Sequence, residues 1–426
     1  MDTHPRGWAW AAEAALVLLA VGYVVWATPA PPLGDTLNSR LATAYSLVHH
    51  GTFTLNLPAP AAPNPFGAAT VDLVEIDGRR LSTKPPLLPL VLTAEYAALH
   101  HFAGWDLRDA EQRPSVMRAL AQSIALPSFA LALAAFVWLL RALAVPLHAR
   151  LAALAALGFG TQVAGFGPHF NNHVPAAAFM LLALVLALAA WRTGGRGALF
   201  GVGLCAALVF TIDLPLTIYP ALAGLVLLVR WPAQALVWAG LGAAGPVLLQ
   251  SGVLWWVTGS PFPVQLRPEL YTFETSYWRN PLGLDALNEP PGLYLFHMTL
   301  GRFGMFALYP VLLLALPGLW AIARSGRRTW QAGAALMMVA TLILFAYYVV
   351  GTNNYGGNAY GFRWGIGAMP ILLAMAAAGF ARWRRPGWWV AAVALFAVSA
   401  HSTWACLQSP WGAHHEWTAV LFGPAY

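Results

Sequence analysis

Residues 173–191 read HVPAAAFMLLALVLALAAW, an apolar run without a single Asp, Glu, Lys or Arg. About 20 apolar residues in a helix are enough to cross the hydrocarbon core of a bilayer. The rest of the chain repeats this pattern, because 59% of its 426 residues are hydrophobic and only 9% are charged. Such a composition excludes an ordinary soluble protein. The sequence therefore predicts a polytopic membrane protein.

Outward from this run, the chain contains about eleven apolar segments of similar length. They lie near residues 8–30, 115–140, 151–167, 173–191, 197–212, 214–229, 233–257, 303–323, 330–350, 362–381 and 387–406. We expect an all-α fold, a polytopic transmembrane helical bundle that forms one integral membrane domain over residues 1–426. The count becomes 12 or 13 if softer segments also cross. One of these, 86–103, holds Glu95 and fits an interfacial or re-entrant helix better than a free span.

Charge placement predicts the orientation of the bundle. Short cytoplasmic loops retain Lys and Arg, whereas acidic residues carry little orientation information. A cytoplasmic N-terminus puts the arginines of the short loops inside and nearly every acidic residue outside. These arginines are Arg6, Arg141, Arg150, Arg192, Arg196, Arg230, Arg324, Arg327, Arg328, Arg382, Arg384 and Arg385. We therefore expect a multi-pass protein of the bacterial inner (cytoplasmic) membrane, with extracytoplasmic loops at 31–114, which contains interfacial helices, and at 258–302.

Several functional classes find no support in the sequence. The net charge of +7 comes from basic residues scattered between apolar spans, which is unlike a nucleic-acid-binding surface. Cys205 and Cys406 provide neither a disulfide framework nor metal-ligand spacing. No P-loop, nucleophile elbow or dinucleotide motif is present. We predict no metal site and no cofactor, although the sequence leaves a divalent-metal requirement open. The first span resembles a signal peptide at its small-residue end, but Glu13 and its length favour a retained helix.

The stretch from Gly34 to Pro86 concentrates charge beside the membrane. Asp35 follows the first span, where a partly desolvated carboxylate can accept a proton from a hydroxyl group; the alternative is a helix cap for residues 36–50. Arg40 lies on the same segment, near its Asp35 end. Lys84, the only lysine, precedes two prolines at a helix start. We predict that Lys84 and Arg80 both bind substrate. A snorkelling lysine is the alternative for Lys84.

Further polar residues lie at the ends of later spans. His173 opens one span, and Asp213 precedes another, where capping is an adequate alternative role. Arg363 follows NNYGGNAYGF and enters an apolar segment, an expensive position unless the guanidinium is paired or meets water. Its fork geometry matches phosphate oxygens. Arg302 occupies a similar position before another span, and Tyr360 lies in the motif beside Arg363.

These residues resemble the motifs of the C-type membrane glycosyltransferases, closest to bacterial relatives of the protein O-mannosyltransferases and the lipid A aminoarabinose transferases. The resemblance follows chain order. It includes Asp35 with Arg40, Lys84-Pro85-Pro86, His173, the loop ending GRFGMFALYPVLLLALPG at 301–318, and Gly356, Gly357, Gly361 and Arg363.

The resemblance implies an enzyme that moves a sugar from a polyprenyl-phosphate-linked donor to an acceptor hydroxyl or amine on the outer face, with inversion at the sugar. It implies Asp35 as catalytic base and Arg40, Lys84 and Arg363 as ligands of the donor phosphate. We add Arg302 to the phosphate ligands, and Arg80, His173, Asp213 and Tyr360 to the substrate-binding residues. The expected partners are the donor, a lipid, glycan or protein acceptor, and membrane lipids.

Two departures from the family pattern stand out. Thr36 follows Asp35 where the family often has a second acid, and the arginine comes five residues after the acid instead of three. Only residues 407–426 follow the last predicted span, so we expect a reduced acceptor-binding apparatus or a small lipid or glycan acceptor. The rival interpretation is a transporter or lipid flippase, although no internal repeat is evident. An inactive assembly subunit is a further alternative.

Overall fold

Long apolar helices dominate the computed structural model, which describes residues 5–29, 34–57, 63–271, 273–412 and 416–423. Within these residues, seven helices are long and apolar enough to cross a membrane: Gly7–Ala27, Arg113–Ala142, His173–Thr193, Pro232–Thr258, Arg328–Gly351, Arg363–Phe380 and Pro386–Gln408. Four shorter apolar helices are Leu147–Phe159, Arg196–Ile212, Leu214–Arg230 and Pro310–Ala323. These segments coincide with the eleven apolar segments predicted from the sequence, so the polytopic helical fold is confirmed.

The described elements follow in chain order. The helices are α1 (Pro5–Ala27), α2 (Asp35–His50), α3 (Leu87–Ala103), α4 (Arg113–Ala142), α5 (Leu147–Phe159), α6 (Gln162–Gly165), α7 (His173–Thr193), α8 (Arg196–Ile212), α9 (Ile218–Arg230), α10 (Pro232–Gln234), α11 (Gly240–Thr258), α12 (Pro291–Thr299), α13 (Met305–Leu308), α14 (Ala315–Ala323), α15 (Arg328–Gly351), α16 (Met369–Phe380), α17 (Pro386–Gln408) and α18 (Ala419–Phe422). The strands are β1 (Leu73–Ile76) and β2 (Arg79–Ser82). A π-helical segment, Ala235–Ala239, joins α10 to α11, and 3₁₀ turns include Leu214–Thr217, Pro310–Leu314 and Arg363–Ala368.

The bundle core is built where small residues let helices approach closely. Helix α7 packs against α4 and α8, α8 packs against α11, and α14 packs against α16. A Cβ atom at Gly203 would lie 1.9 Å from the Ala239 carbonyl oxygen, and one at Gly318 would lie 2.1 Å from that of Met375. Both contacts are backbone against backbone, so these helices can pack at this distance only with glycine.

A short hairpin departs from the all-α prediction. Strands β1 and β2 pair antiparallel, with Glu75 opposite Arg80. The turn residues Asp77 and Gly78 both have positive φ, 52° and 74°, as the two central residues of a type I′ turn require. Asp77 and Gly78 therefore form the hairpin turn, and two four-residue strands are added to an otherwise helical protein.

The hairpin and α3 cover α2, so that little of this amphipathic helix is exposed. The Ser39 hydroxyl group lies 2.7 Å from that of Ser82 and donates to the Asp72 carbonyl oxygen at 3.1 Å. On another face, the Asn64 amide donates to the Ala42 carbonyl oxygen at 2.7 Å. The N-terminal part of α2, which carries Asp35 and Arg40, is therefore largely enclosed by other parts of the protein. We call the end of the bundle formed by residues 34–57, 63–112, 259–271, 273–304 and 352–362 the loop face.

Candidate active site

Lys84 is held by an acid that we had not singled out. Its Nζ atom lies 2.6 Å from Oδ2 of Asp72, which is only 7% exposed. The position of Asp72 is fixed because its carbonyl oxygen accepts from the Thr83 N–H group at 3.0 Å. Burial lowers the pKa of Lys84, and the neighbouring Asp72 carboxylate opposes this shift. Lys84 therefore points to a carboxylate inside the protein, which is not the behaviour of a snorkelling side chain.

Asp35 is the first residue of α2, and its carboxylate faces the loop that leads to β1. The helix is capped by Gly34 without a side-chain hydrogen bond, so the capping role considered for Asp35 is not observed. Its Oδ2 atom accepts instead from the Val71 N–H group at 3.4 Å. Burial and the nearby Asp72 carboxylate raise the pKa of Asp35, against smaller opposing contributions from Thr70, Lys84 and Val71. A carboxyl with a raised pKa is a better proton acceptor than an exposed aspartate.

Arg40 is a buried cation one turn further along α2. Its side chain is 1% exposed. One Nη atom donates to the Thr36 carbonyl oxygen at 2.8 Å, and the guanidinium lies 5.4 Å from the centre of the Phe170 ring. Burial lowers the pKa of Arg40 to about 10, a value at which the group stays charged at neutral pH. Its Nε atom is buried and has no hydrogen-bond acceptor among the described residues.

Arg363 reaches the same region from the distant end of the chain. Its guanidinium lies 5.2 Å from the ring of Trp411, and a Cβ atom on Gly34 would lie 2.7 Å from the same ring. Trp411 therefore brings the start of α2 and Arg363 together. Gly356 has φ of 100° and packs closely against Arg363, because a Cβ atom added to Gly356 would lie 3.1 Å from the Arg363 Cβ. The Arg363 Nε atom is also buried without an acceptor in the described part of the chain.

His173 and Asp213 form a second buried pair. The Nδ1 atom of His173 donates to Oδ2 of Asp213 at 2.6 Å, since a carboxylate can only accept. The two side chains are 4% and 7% exposed. Asp213 makes no side-chain cap to the turn that follows it, so the capping role is again not observed. The helix start at His173 is capped by Asn171, whose Oδ1 accepts from the Val174 N–H group at 2.8 Å.

These residues form one electrostatic unit, which we call the polar cluster. The charge of Arg363 interacts with those of Asp72 and Asp213, and Lys84 interacts with both Arg40 and Arg363. His173 interacts with the two arginines as well. The members of the polar cluster are Asp35, Arg40, Asp72, Lys84, His173, Asp213 and Arg363. Within it, carboxylates pair with Lys84 and His173, while the two guanidinium groups lie against aromatic rings.

An apolar groove begins beside Lys84. It is narrow, with a cavity volume of about 30 Å³ between α2, α3 and α11. Its walls include Thr43, Pro89, Val253, Leu254 and Val257, and Lys84 and Ser82 lie at its polar end. The cation at its end suits an amphiphile with an anionic head group.

Three predicted site residues lie outside the polar cluster. Arg302 is 2% exposed and donates to the Gly423 carbonyl oxygen at 3.2 Å, in the C-terminal segment. Tyr360 is buried, and its carbonyl oxygen accepts from Gln162. Arg80 is partly exposed on β2, where it lies 3.5 Å from Glu75 and 5.0 Å from the Phe273 ring centre. The substrate roles predicted for them stay predictions.

Asp72 and Trp411 are the residues that sequence reasoning missed. Asp72 was one of many acids in the first loop, and only the contact of that loop with α2 sets it apart. Trp411 was one of 20 tryptophans, a number equally typical of interfacial belts. The described residues contain no group of three or more His, Cys, Asp or Glu side chains suited to a metal ion.

Solved membrane proteins share this fold, whereas no protein-family model and no curated relative matches the sequence. ArnT from Cupriavidus metallidurans in the apo state superposes with a TM-score of 0.55 at 14% identity, over 89% of this chain and 61% of that one. The oligosaccharyltransferase of Archaeoglobus fulgidus in the apo form gives a TM-score of 0.53 at 13% identity, over 97% and 57%. The chain thus spans about three fifths of the length of these structures.

A ligand-bound relative shows the same similarity. ArnT from Cupriavidus metallidurans bound to undecaprenyl phosphate gives a TM-score of 0.51 at 14% identity, over 92% of this chain and 63% of that one. At these identities the comparison establishes the fold. The chain has the fold of ArnT and of the archaeal oligosaccharyltransferase.

Proposed function

We propose that the protein is an integral membrane glycosyltransferase that moves a sugar from a polyprenyl-phosphate-linked donor to the hydroxyl or amine of an acceptor. The observation that carries the proposal is the polar cluster itself. Three cations from distant parts of the chain, Arg40, Lys84 and Arg363, gather beside a carboxylate with a raised pKa, Asp35, at the polar end of an apolar groove.

The cations suit the leaving group of such a transfer. When the bond between the sugar and the phosphate breaks, its electron pair stays on the phosphate oxygen and negative charge develops there. Preorganised donors aimed at that charge lower the barrier without having to reorganise. The buried Nε atoms of Arg40 and Arg363 have no acceptor among the described residues, so they support a role as phosphate ligands. Lys84 would exchange its contact with Asp72 for the phosphate.

Asp35 suits the acceptor side of the reaction. The acceptor oxygen or nitrogen forms the new bond to the anomeric carbon, and its proton passes to the Asp35 carboxylate. The leaving polyprenyl phosphate departs from the opposite face, so a single displacement inverts the anomeric centre. Burial raises the pKa of Asp35, which increases its strength as a general base as long as it stays ionised at the working pH.

The apolar groove supports a lipid-linked donor. Its walls come from α2, α3 and α11, and Lys84 lies at its end. Among the proteins with this fold, ArnT was solved bound to undecaprenyl phosphate, and the Archaeoglobus fulgidus oligosaccharyltransferase AglB was solved with dolichol-phosphate and an inhibitory peptide. A polyprenyl phosphate head group at Lys84 fits both observations, and the groove, with a volume of about 30 Å³, must widen for the first isoprene units to enter.

We further propose that the loop face is extracytoplasmic and that the membrane is the bacterial inner membrane. The arginines of the short loops support this orientation, since they lie at the opposite end of the bundle from the polar cluster. A flippase or transporter fits less well, because its substrate site is expected near the bilayer midplane between repeated halves. Movement of labelled lipid across vesicles without any transfer product would favour that rival.

The test is turnover of a panel of undecaprenyl-phosphate sugars by the purified protein and by Asp35→Asn. We expect at least one donor to lose its sugar, and the variant to be slower by about 100-fold or more, since a positioned general base contributes at least that factor. The variant should still bind undecaprenyl phosphate. Asp77→Asn is the matched control, because it removes a carboxylate from the hairpin turn, where asparagine tolerates the positive φ. Failure of every donor, or equal rates for Asp35→Asn and wild type, would refute the proposal.

A further inference from the structure

The backbone immediately before Arg363 is held by three consecutive long-range hydrogen bonds. Each N–H group of residues 360–362 donates to a different part of the chain. The bonds are Tyr360 N–H to the Pro410 carbonyl oxygen at 2.9 Å, Gly361 N–H to Glu416 Oε1 at 3.0 Å, and Phe362 N–H to the Phe303 carbonyl oxygen at 2.8 Å. A turn fixed at three successive residues leaves the next residue, Arg363, little freedom of placement.

Glu416 is the one side-chain acceptor among these three. It is 2% exposed, and burial raises the pKa of its carboxyl to about 7. In either protonation state one oxygen remains able to accept from Gly361. Gly361, the residue that donates to Glu416, cannot easily be replaced by another amino acid. Its φ is 69°, and an added Cβ would lie 2.7 Å from the Leu308 side chain. Because the Glu416 carboxyl group accepts from the N–H group of Gly361, it helps to fix the backbone geometry of the turn at residues 360–362.

The segment that carries Glu416 is itself anchored to the bundle. The Trp417 Nε1–H group donates to the Ser402 hydroxyl oxygen at 2.9 Å. The Thr418 hydroxyl donates to the carbonyl oxygen of Arg302, whose guanidinium donates in turn to the Gly423 carbonyl oxygen. The carboxyl group of Glu416 is thus presented from a fixed base, as an effective positioning group requires.

We propose that Glu416 is the positioning residue for Arg363: through the Gly361 N–H group it sets the turn that delivers the guanidinium to the donor phosphate. The inference rests on the proposed function of Arg363 as a phosphate ligand. Glu416 itself touches neither the polar cluster nor the groove in the contacts of the described residues. Its effect should therefore depend entirely on the presence of the Arg363 side chain.

The experiment measures the affinity of detergent-solubilised protein for undecaprenyl phosphate in Glu416→Ala, Arg363→Ala and the double variant. Glu416→Ala should weaken binding about tenfold, since a buried hydrogen bond lost from a donor costs on the order of 1.4 kcal/mol. The double variant should bind no more weakly than Arg363→Ala, because coupled residues are not additive. Glu416→Gln, which keeps an acceptor oxygen, should restore wild-type affinity.

Two further variants separate positioning from folding. Glu13→Ala removes the buried carboxylate that Arg141 and Arg150 bind at the far end of the bundle, and should lower the melting temperature without changing affinity per folded protein. If Glu416→Ala does not fold, Glu416→Asp takes its place, because its shorter side chain cannot span the 3.0 Å contact without moving the turn. Additive effects of Glu416→Ala and Arg363→Ala, or a Gln variant as weak as Ala, would overturn the inference. An Arg363→Ala variant with wild-type affinity would instead count against the proposed function.

Discussion

Two buried ionic clusters lie at opposite ends of this bundle, and their hydrogen bonds differ in kind. At the end away from the loop face, Glu13 of α1 is 2% exposed. One of its oxygens accepts from Arg141 and the other accepts from Arg150 at 2.5 Å. In the polar cluster, by contrast, neither Arg40 nor Arg363 forms a salt bridge with a carboxylate of the described residues, although the cluster contains three aspartates.

The difference distinguishes a structural cluster from a binding site. Both oxygens of Glu13 are used, which joins α1 to α4 and α5 and leaves the carboxylate nothing further to bind. The guanidinium groups of Arg40 and Arg363 rest against Phe170 and Trp411, so an anion that arrives can take their N–H edges without first breaking a salt bridge. Exposure alone would not have distinguished the two clusters, because each combines buried and partly buried side chains.

The largest expected effect is on stability, at the Glu13 cluster. Glu13→Ala leaves two arginines without their carboxylate inside the bundle, and breaking a buried pair in this way costs about 3–5 kcal/mol. We expect a clear drop in the melting temperature of the solubilised protein, with undecaprenyl phosphate affinity unchanged in the folded fraction. Glu95→Ala is the control, since that carboxylate is half-buried and accepts a hydrogen bond from the Ser123 hydroxyl group instead of binding an arginine among the described residues. An unchanged melting temperature for Glu13→Ala would remove the contrast between the clusters.

The next effect is on binding, at the polar cluster. Arg363→Ala should weaken the affinity for undecaprenyl phosphate about 10- to 100-fold, because hydrogen bonds to charged groups contribute roughly 1.5–3 kcal/mol. The melting temperature should stay the same or rise, since the variant removes a partly buried cation that forms no salt bridge with the described residues. Arg384→Ala, an exposed arginine between α16 and α17, is the control for the loss of charge. A large loss of stability without loss of affinity would make Arg363 structural, like Arg141.

Much of this arrangement was predictable from the sequence, because its causes are local. Apolar length predicted the spans. Asp35, Lys84 and Arg363 attracted attention because each is charged beside an apolar segment, where an unexplained charge is expensive. The structure brings all three into one electrostatic unit, and the roles that the resemblance implies for them stay predictions.

The remaining features depend on long-range contacts that no local pattern contains. An aspartate at a helix start is typical of a cap, yet Asp35 and Asp213 both bond elsewhere, because the tertiary fold offers them Val71 and His173. Asp72 gained its role only when the first loop folded back over α2. Arg302 shows the converse: its position before a span resembles that of Arg363, but its guanidinium binds the C-terminal segment.

The smallest expected effect is a displacement of the pH–rate profile, and it tests the unforeseen member of the polar cluster. Burial, and next the Asp72 charge, raise the pKa of Asp35, so activity should fall in acid as pH drops through a value above 3.8. Burial lowers the pKa of Lys84 while Asp72 raises it, so donor binding should fall in alkali below 10.5. Asp72→Asn removes a charge that raises both pKa values, and both limbs of the profile should therefore move to lower pH.

This shared direction is what a merely structural role for Asp72 would not produce. A distorted site would lower the height of the kcat/KM profile and leave its limbs in place. Asp213→Asn is the matched control, because Asp213 is equally buried but pairs with His173, and we expect its limbs to coincide with those of wild type. Limbs that move apart, or that stay fixed in Asp72→Asn, would mean that Asp35 and Lys84 are not the groups whose protonation controls the reaction.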